Sequence, residues 1–427
     1  MEICKRGNQK MSNSKKIMCV NAGSSSIKFK LYEMDEKASL AKTIAEKSQY
    51  CKALCSGLVE RIGHEDARCI IKKPDGSKSE KVLPIHNHDE GVQLVLKGLI
   101  EEKIVASLDE IQGVGNRVVQ GGKYFSDAHV FDQYTYDRIE ELIPLDPLHA
   151  EAHLTCFNAF KKALPMVGEV AVFDTAFHQT MEPKEYMYAI PYEWYEKYAC
   201  RRYGAHGTSH KYLSQFAKEK YFADKEHVNI ITCHIGSGAS VSAVKDGKCI
   251  ATSMGLTPLA GVMMGTRTGD IDPSCMPYLC TCTGKSADEI YDIYNHHSGL
   301  EGVSGISNDT RDVEAEYYKG NERAILAMDM YASRIAEYIM MYYGKLGHVD
   351  MIVCSAGVFE NSPIYRKMAF DNVEEALGVK IDEKLNEEKV RGQWGLISTP
   401  DSKIPVAVIP TDEELMICLD TARILGL

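Results

Sequence analysis

The stretch VNAGSSSIKF, Val20 to Phe29, is an apolar strand that breaks into a loop of one Gly and three Ser and then resumes as a strand. With KIMCV before it and LY after it, residues 16–33 read as strand, turn, strand, a β-hairpin pattern. A second unit of the same kind, NIITCHIGSGASVSAVKDGK, runs from Asn229 to Lys248, about half the chain further on, and ends in an Asp246-Gly247 turn. Two strand–loop–strand units half a chain apart suggest a duplicated architecture. Loops of this composition admit two readings: a tight hairpin with exposed Ser, or a cradle of converging N–H groups and hydroxyls for an anion such as phosphate.

The rest of the chain alternates strands with helices. DMIVCSAG (350–357) is an apolar strand ending in Gly, and EVAVFDT (169–175) places Asp174 just past a strand. A helix is expected from about Asn321 to Gly344, with Ile325, Met328, Ala332, Ile335, Ile339 and Tyr342 on one stripe that suits core packing better than a dimer face. At 427 residues the chain is longer than one core supports, so two domains joined by a tight hinge are expected.

A net charge of −11 argues against a nucleic-acid or anionic-membrane surface. The fourteen Cys form no CxxC pair, the closest being Cys280 with Cys282 and Cys51 with Cys55, which fits free thiols in a reducing cytoplasm. No segment is long and apolar enough to span a membrane. Residues 1–14 read as a disordered extension, and Met11 is an alternative start.

Several polar groups stand among glycines. GVGNRVVQGG carries Arg117, and GLTPLAGVMMGTRTGDIDP carries Arg267; glycine lets a ligand approach the backbone while a guanidinium fork grips a carboxylate or phosphate. Structural ion pairing is the competing reading. YGAHGTSHKYL offers His206 and His210 at i, i+4 spacing, without the Glu of a zinc-binding HExxH, and a helix capped by Thr208 or Ser209 is expected there. His178 follows Asp174 by four residues, and Glu413 and Glu414 open a C-terminal helix, where the helix dipole alone accounts for acids. TGKS (283–286) lacks the first glycine of a Walker A loop.

Taken in order, NAGSSSIKF, PLHAEAHL, FDTAFHQTM, YGAHGTSHKY, TSMGLTPLAGVMMGTRTGDIDP, SGISNDTRDV and PTDEELMI resemble the acetate kinase family, within the superfamily of acetate and sugar kinases, heat-shock chaperone ATPases and actin. The resemblance runs from about Lys16 to the C-terminus and implies an α/β, two-domain, actin-like (ribonuclease H-like) fold with duplicated βββαβαβα cores and an active site in the cleft. By analogy the first domain spans 15–175 plus 412–427 and the second 176–411.

The implied activity is reversible phosphoryl transfer from MgATP to a short-chain carboxylate in the cytoplasm, by a homodimer. The resemblance implies that Arg117 and Arg267 hold the carboxylate and the phosphoryl oxygens, that His206 donates to the developing charge, and that Asp174 orients the carboxylate or holds Mg²⁺ (or Mn²⁺) with Asn21 and Glu413. It places Val119, Leu148, Ala205 and Pro258 around the substrate. Ser24, Ser26, Lys28, His149, His234, Gly236, Ser237 and Gly238 fall on the phosphate side of ATP. Asp309, Thr310, Arg311 and the Gly357, Val358, Phe359, Glu360, Asn361 loop fall on the adenosine side.

The chain departs from the family's usual pattern at five positions. Asn116 and Gln120 flank Arg117 where His is usual, and Ser237 stands for Asn. Ala205 replaces a Phe, leaving room for one or two methylenes of propionate or butyrate at ~0.8 kcal/mol each. Phe359 replaces Gly and is expected to stack on the base or to occlude it, the latter favouring a smaller donor such as pyrophosphate. A chaperone-like or filament-forming ATPase would also use two phosphate loops, but it needs neither arginine, and a chaperone adds a peptide-binding domain. A catalytically silent binding protein would not need the Arg, His, Asp and Glu positions together.

Overall fold

The computed structural model describes residues 14–147 and 149–427. β1 (Lys15–Gly23) sends Ile17 and Cys19 to one face and Met18 and Val20 to the other, all buried, so alternation here serves a sheet covered on both sides. It pairs antiparallel with β2 (Ser26–Met34), from Lys15 opposite Met34 to Gly23 opposite Ser26, which leaves Ser24 and Ser25 in the turn. With β3 (Cys51–Glu60), β4 (Arg68–Lys72), β5 (Lys78–Val82), β6 (Ile111–Val118), β7 (His129–Val130) and β8 (Gly168–Phe173) they form an eight-stranded sheet ordered β5-β4-β3-β2-β1-β6-β8-β7.

The second sheet contains β9 (Asn229–Ile235), β10 (Ala239–Lys245), β11 (Lys248–Thr252), β12 (Met351–Ser355), β13 (Gly395–Leu396) and β14 (Val406–Val408), ordered β11-β10-β9-β12-β14-β13. Both sheets share one core. Three antiparallel strands lead into two parallel ones, β3-β2-β1-β6-β8 in the first and β11-β10-β9-β12-β14 in the second. The duplication inferred from the two Gly/Ser loops is therefore present in the topology, and the architecture is the actin-like α/β fold.

Helices His88–Glu101 and Ala150–Ala163 cover one face of the first sheet through Val92, Leu96, Leu99 and Phe160. The C-terminal helix Glu413–Leu425 covers the other and joins the Gly207–Tyr221 helix in an apolar cluster that runs from Ile17 to Ile230 and Val353, so it ties the two sheets together. Glu322–Leu346 lies on the second sheet with Met328, Ala332, Ile335, Ile339 and Tyr342 buried in its core, as its stripe predicts. Among the described residues no helix is long and apolar enough to cross a membrane.

Two expectations change. The glycines of GVGNRVVQGG make room for packing, not for a ligand: a Cβ on Gly115 would lie 2.2 Å from Thr421 Oγ1, and one on Gly122 2.5 Å from Leu142. The expected extension, residues 1–14, lies outside the described residues except for Ser14, whose hydroxyl donates to Glu33 at 3.1 Å and so belongs with the first hairpin.

Glu169, on β8 and 4% exposed, accepts one hydrogen bond from Asn116 Nδ2 of β6 at 3.0 Å, while its Oε1 has no partner among the described residues. Burial pushes its pKa up to about 8. The folded state therefore holds a proton that the unfolded chain releases near pH 4–5. Its stabilising effect is complete below that range and is lost as pH rises toward 8, at about 1.4 kcal/mol per pH unit. Glu169→Gln is expected to flatten this slope, so that chemical denaturation at pH 5 and pH 8 shows the variant gaining on the parent at the higher pH; parallel pH dependence would contradict it.

Candidate active site

The ends of β6, β8 and β1 bring three of the anticipated residues together. Arg117 donates from Nε to both oxygens of Asp174, at 3.2 and 3.1 Å, and from Nη2 to Oδ2; its Nη1 reaches Asn21 Oδ1 at 3.2 Å. Asp174 is fully buried. Burial alone would lower the arginine's pKa, but the charges of Asp174 and Glu413 outweigh it and raise it. Lys28 and Glu413 join Asn21 and Arg117 around a cavity of about 320 Å³. Glu413, in the first turn of the C-terminal helix, is pushed up to about 7, by burial first, against the pull of Arg117, with Asp174 adding to the rise.

A second cluster faces the first from the other sheet. His206 occupies the position before the Gly207–Tyr221 helix with φ 58°, a left-handed conformation. The helix thus begins two or three residues earlier than expected, with His206 and not Thr208 or Ser209 at the cap position; Thr208 and Ser209 sit in its first turn and cap nothing. His206 stacks on His234 with ring centroids 4.2 Å apart, and His234 Nδ1 lies 3.8 Å from Glu413 Oε1, which joins the two clusters. Burial, then the neighbouring His234, holds His206 well below its ordinary pKa; burial and Arg117 bring His234 down to about 3. Both rings are neutral at pH 7.

The Gly236–Gly238 loop lies between these rings and the remaining arginine. A Cβ on Gly238 would be 3.4 Å from His206 Nε2 and 3.7 Å from Arg267 Nη1, and one on Gly236 would be 3.6 Å from Gly357 N. Here the missing side chain does open onto the site. Arg267 donates to the Pro258 carbonyl at 3.2 Å and pairs with no carboxylate among the described residues; burial lowers its pKa. Its loop is held by Asp270, which accepts from Gly261 N at 2.8 Å and from the Tyr338 hydroxyl. A half-buried guanidinium without a counter-ion marks a place for an anion.

The other anticipated residues fall out as follows. Val119 is buried, its N–H donating to His153 Nε2 at 3.3 Å. Ala205 is 3% exposed, and its carbonyl accepts from His178 Nε2 at 3.0 Å. Gln120 Nε2 reaches the Leu256 carbonyl at 3.5 Å, which brings the segment after β6 against the one that contains Pro258. His149 bonds Asp146 at 2.8 Å. Leu148 lies outside the described residues. Ser24 and Ser26 are at the hairpin tip, and Gly265, beside Ser237, abuts the Asn308 carbonyl, so Asp309, Thr310 and Arg311 follow directly. Asp309 caps its helix and pairs with Arg311, which holds it down to about 2.

The 356–361 segment needs correction. Phe359 is 0% exposed within the core of the second sheet, so its ring neither stacks on nor occludes a nucleotide. Val358 is likewise buried. Glu360 Oε1 accepts from the Ala356 and Thr411 backbone amides at 2.7 and 3.3 Å and is spent there. Gly357 and Asn361 remain accessible. Sequence reasoning missed His88, whose Nε2 donates to the Gly23 carbonyl at 2.9 Å and braces the hairpin tip, and Ser240, which bonds His206 Nδ1 at 2.8 Å. Only the alternation of ASVSAV, which puts Ser240 and Ser242 on one face, hints at the latter.

Gly207 couples the clusters. Its N–H donates to the Asp174 carbonyl at 2.9 Å, and a Cβ there would stand 2.1 Å from that oxygen. Gly207→Ala must therefore part the helix from Asp174, at a cost of about 1–3 kcal/mol. A melting temperature lower by several degrees is expected, together with reduced turnover; an unchanged melting curve would show that the contact is absent.

The sequence profile of the acetokinase family matches residues 16–419. An acetate kinase of Thermotoga maritima is 48% identical over 413 residues, 96% of this chain and 98% of the relative. A crystal structure of Porphyromonas gingivalis acetate kinase superposes with a TM-score of 0.88 at 41% identity, covering 96% of this chain and 100% of that one. A propionate kinase from Francisella tularensis superposes with a TM-score of 0.86 at 36% identity, covering 96% and 99%. With its fold, its ordered motifs and nearly its whole length matched, this chain belongs to the acetokinase family.

Proposed function

We propose that this chain transfers the terminal phosphoryl group of ATP to acetate, reversibly and in one in-line step, giving acetyl phosphate and ADP. The observation that carries this is the Arg267 guanidinium, without a counter-ion, beside His206 and the Gly236–Gly238 loop and opposite the Arg117–Asp174 pair. Two anions must meet in this reaction, so positioning and charge neutralisation do most of the work. Arg117 and Arg267 grip the acceptor carboxylate and the equatorial oxygens of the moving group. His206 Nε2, beside Gly238 and near Arg267, donates to the charge that spreads over those oxygens.

The donors on the first-sheet side fit a magnesium ion. Glu413 is a buried carboxylate whose pKa climbs to about 7, the behaviour of a group short of a cation, and Asn21 Oδ1 and Asp174 lie close by. Among the described residues no set of three or more His, Cys, Asp or Glu would hold a metal alone, which suits an ion that takes its remaining ligands from water and phosphate. When bound, Mg²⁺ (or Mn²⁺) neutralises phosphate charge. Meanwhile Arg117 keeps both Asp174 oxygens occupied, which makes that carboxylate a poor nucleophile toward phosphorus.

Gly357 and the Asp309–Arg311 pair are assigned to the adenosine side, and Val119, Ala205 and Pro258 to the alkyl end of the acceptor. Residues 15–175 with 412–427 and residues 176–411 are taken as the two bodies that close on the ligands. Ala205 contributes only a methyl group, so propionate is expected to be accepted beside acetate. Burial of Phe359 removes the reason to favour pyrophosphate over ATP.

Trapping the acyl phosphate as its hydroxamate is expected to give product with ATP and either acetate or propionate; no product from any acceptor would sink the assignment. Arg267→Ala is expected to lower kcat/KM on the order of 10²–10³-fold, as for loss of one transition-state donor, with the melting temperature preserved.

A further inference from the structure

Four side chains from three elements form a line of hydrogen bonds that ends at His206. Thr232 Oγ1, on β9, lies 2.7 Å from His210 Nδ1; His210 Nε2 lies 2.8 Å from Ser240 Oγ, on β10; and the same Oγ lies 2.8 Å from His206 Nδ1. His210 is in the first turn of the Gly207–Tyr221 helix, and its N–H donates to the carbonyl of His206, the residue before that helix, at 3.0 Å. Thr232, His210 and Ser240 are each 0% exposed, so solvent has no part in deciding who donates.

The protons can be placed by counting. Ser240 has one hydroxyl proton between two imidazole nitrogens, so it donates to one ring and accepts from the other. Two orders meet that count, since the 2.7 Å contact between Thr232 Oγ1 and His210 Nδ1 is a hydrogen bond whichever of the two donates, and the choice between them is made at the near end. With Thr232 donating to Nδ1, neutral His210 carries its proton on Nε2 and donates to Ser240. Ser240 then donates to His206 Nδ1, and the proton of His206 is left on Nε2. That nitrogen has no protein partner among the described residues and is next to Gly238 and Arg267. The opposite order would turn a lone pair from His206 toward the place where the oxygens of the moving group must sit.

We propose that Thr232, His210 and Ser240 are positioning residues that lock His206 in its Nε2–H tautomer, so that an uncharged ring presents a donor to the phosphoryl group between Arg117 and Arg267. Burial first, then the neighbouring His234 and His210 and the two arginines, disfavour a second proton on that ring, so its tautomer decides whether it can donate. The proton assignment, chosen by the oxygens that the ring must face, and its catalytic consequence both rest on the kinase reading given above.

The test uses the full-length protein labelled with ¹⁵N-histidine. Two-bond ¹H–¹⁵N correlation, with His206 assigned from the signal lost in His206→Gln, is expected to show a protonated Nε2 and a bare Nδ1. Thr232→Val keeps size and β-branching but removes the hydroxyl, three hydrogen bonds away from His206. It and Ser240→Ala are expected to shift His206 toward the Nδ1–H form. Both are expected to lower kcat by about tenfold, the rate equivalent of one lost hydrogen bond, with KM for ATP and acetate nearly unchanged. A wild-type His206 protonated on Nδ1 would overturn the relay, as would variants in which neither tautomer nor kcat moves. If the tautomers behave as assigned but the wild-type protein makes no acyl phosphate, the relay stands and the kinase reading fails. Should Ser240→Ala fail to fold, the Thr232→Val arm decides.

Discussion

Arg117 and Asp174 are the pair on which the arrangement depends. A fully buried carboxylate is tolerable only with compensation, and here both oxygens are taken by one guanidinium rooted in the neighbouring parallel strand. The pair fixes the ends of β6 and β8 against each other, orients Asn21 of β1 through Nη1, and leaves the backbone carbonyl of Asp174 to receive the Gly207 amide. Through Gly207 the same residue sets the start of the Gly207–Tyr221 helix, and with it His206, which stacks on His234 of β9. An alteration at this pair is felt on both sides of the cleft.

The electrostatics follow. The protein carries −11 overall, yet the groups that face the proposed point of transfer are two arginines, a lysine and two neutral imidazoles. Asp174 offsets Arg117, Glu413 is poised near neutrality, and Arg267 is left without a carboxylate. The site is thus made locally attractive to anions by removing negative charge from it rather than by crowding it with cations. Keeping the imidazoles uncharged lets them approach each other to stacking distance beside both arginines.

Much of this was legible in the sequence, because much of it is local. The Gly/Ser break after an apolar strand gave both hairpins, the 3/4 spacing gave the Glu322–Leu346 helix, and the Asp at a strand end gave Asp174. What escaped depends on parts of the chain that are far apart. Nothing in AGVFEN says that Phe359 turns into the core while Glu360 turns back onto two amides, because the helix direction after β12 decides both. The glycines around Arg117 looked like ligand contacts, whereas the C-terminal helix and Leu142 occupy the space. The relay behind His206 needs the register that sets Ser240 opposite His234 and Ser242 opposite Thr232 across β9 and β10, and no single stretch contains that.

In the proposed reaction no protein group carries the phosphoryl on its way. In that proposal Asp174 is engaged by Arg117 and Glu413 stands among the donors suited to the metal, which leaves the acceptor carboxylate to attack phosphorus directly. Transfer to acetate from ATP made chiral at the γ-phosphorus measures this most directly. A single in-line displacement predicts inversion of configuration in the acetyl phosphate formed; retention would mean two displacements through a phosphorylated residue and would contradict the account.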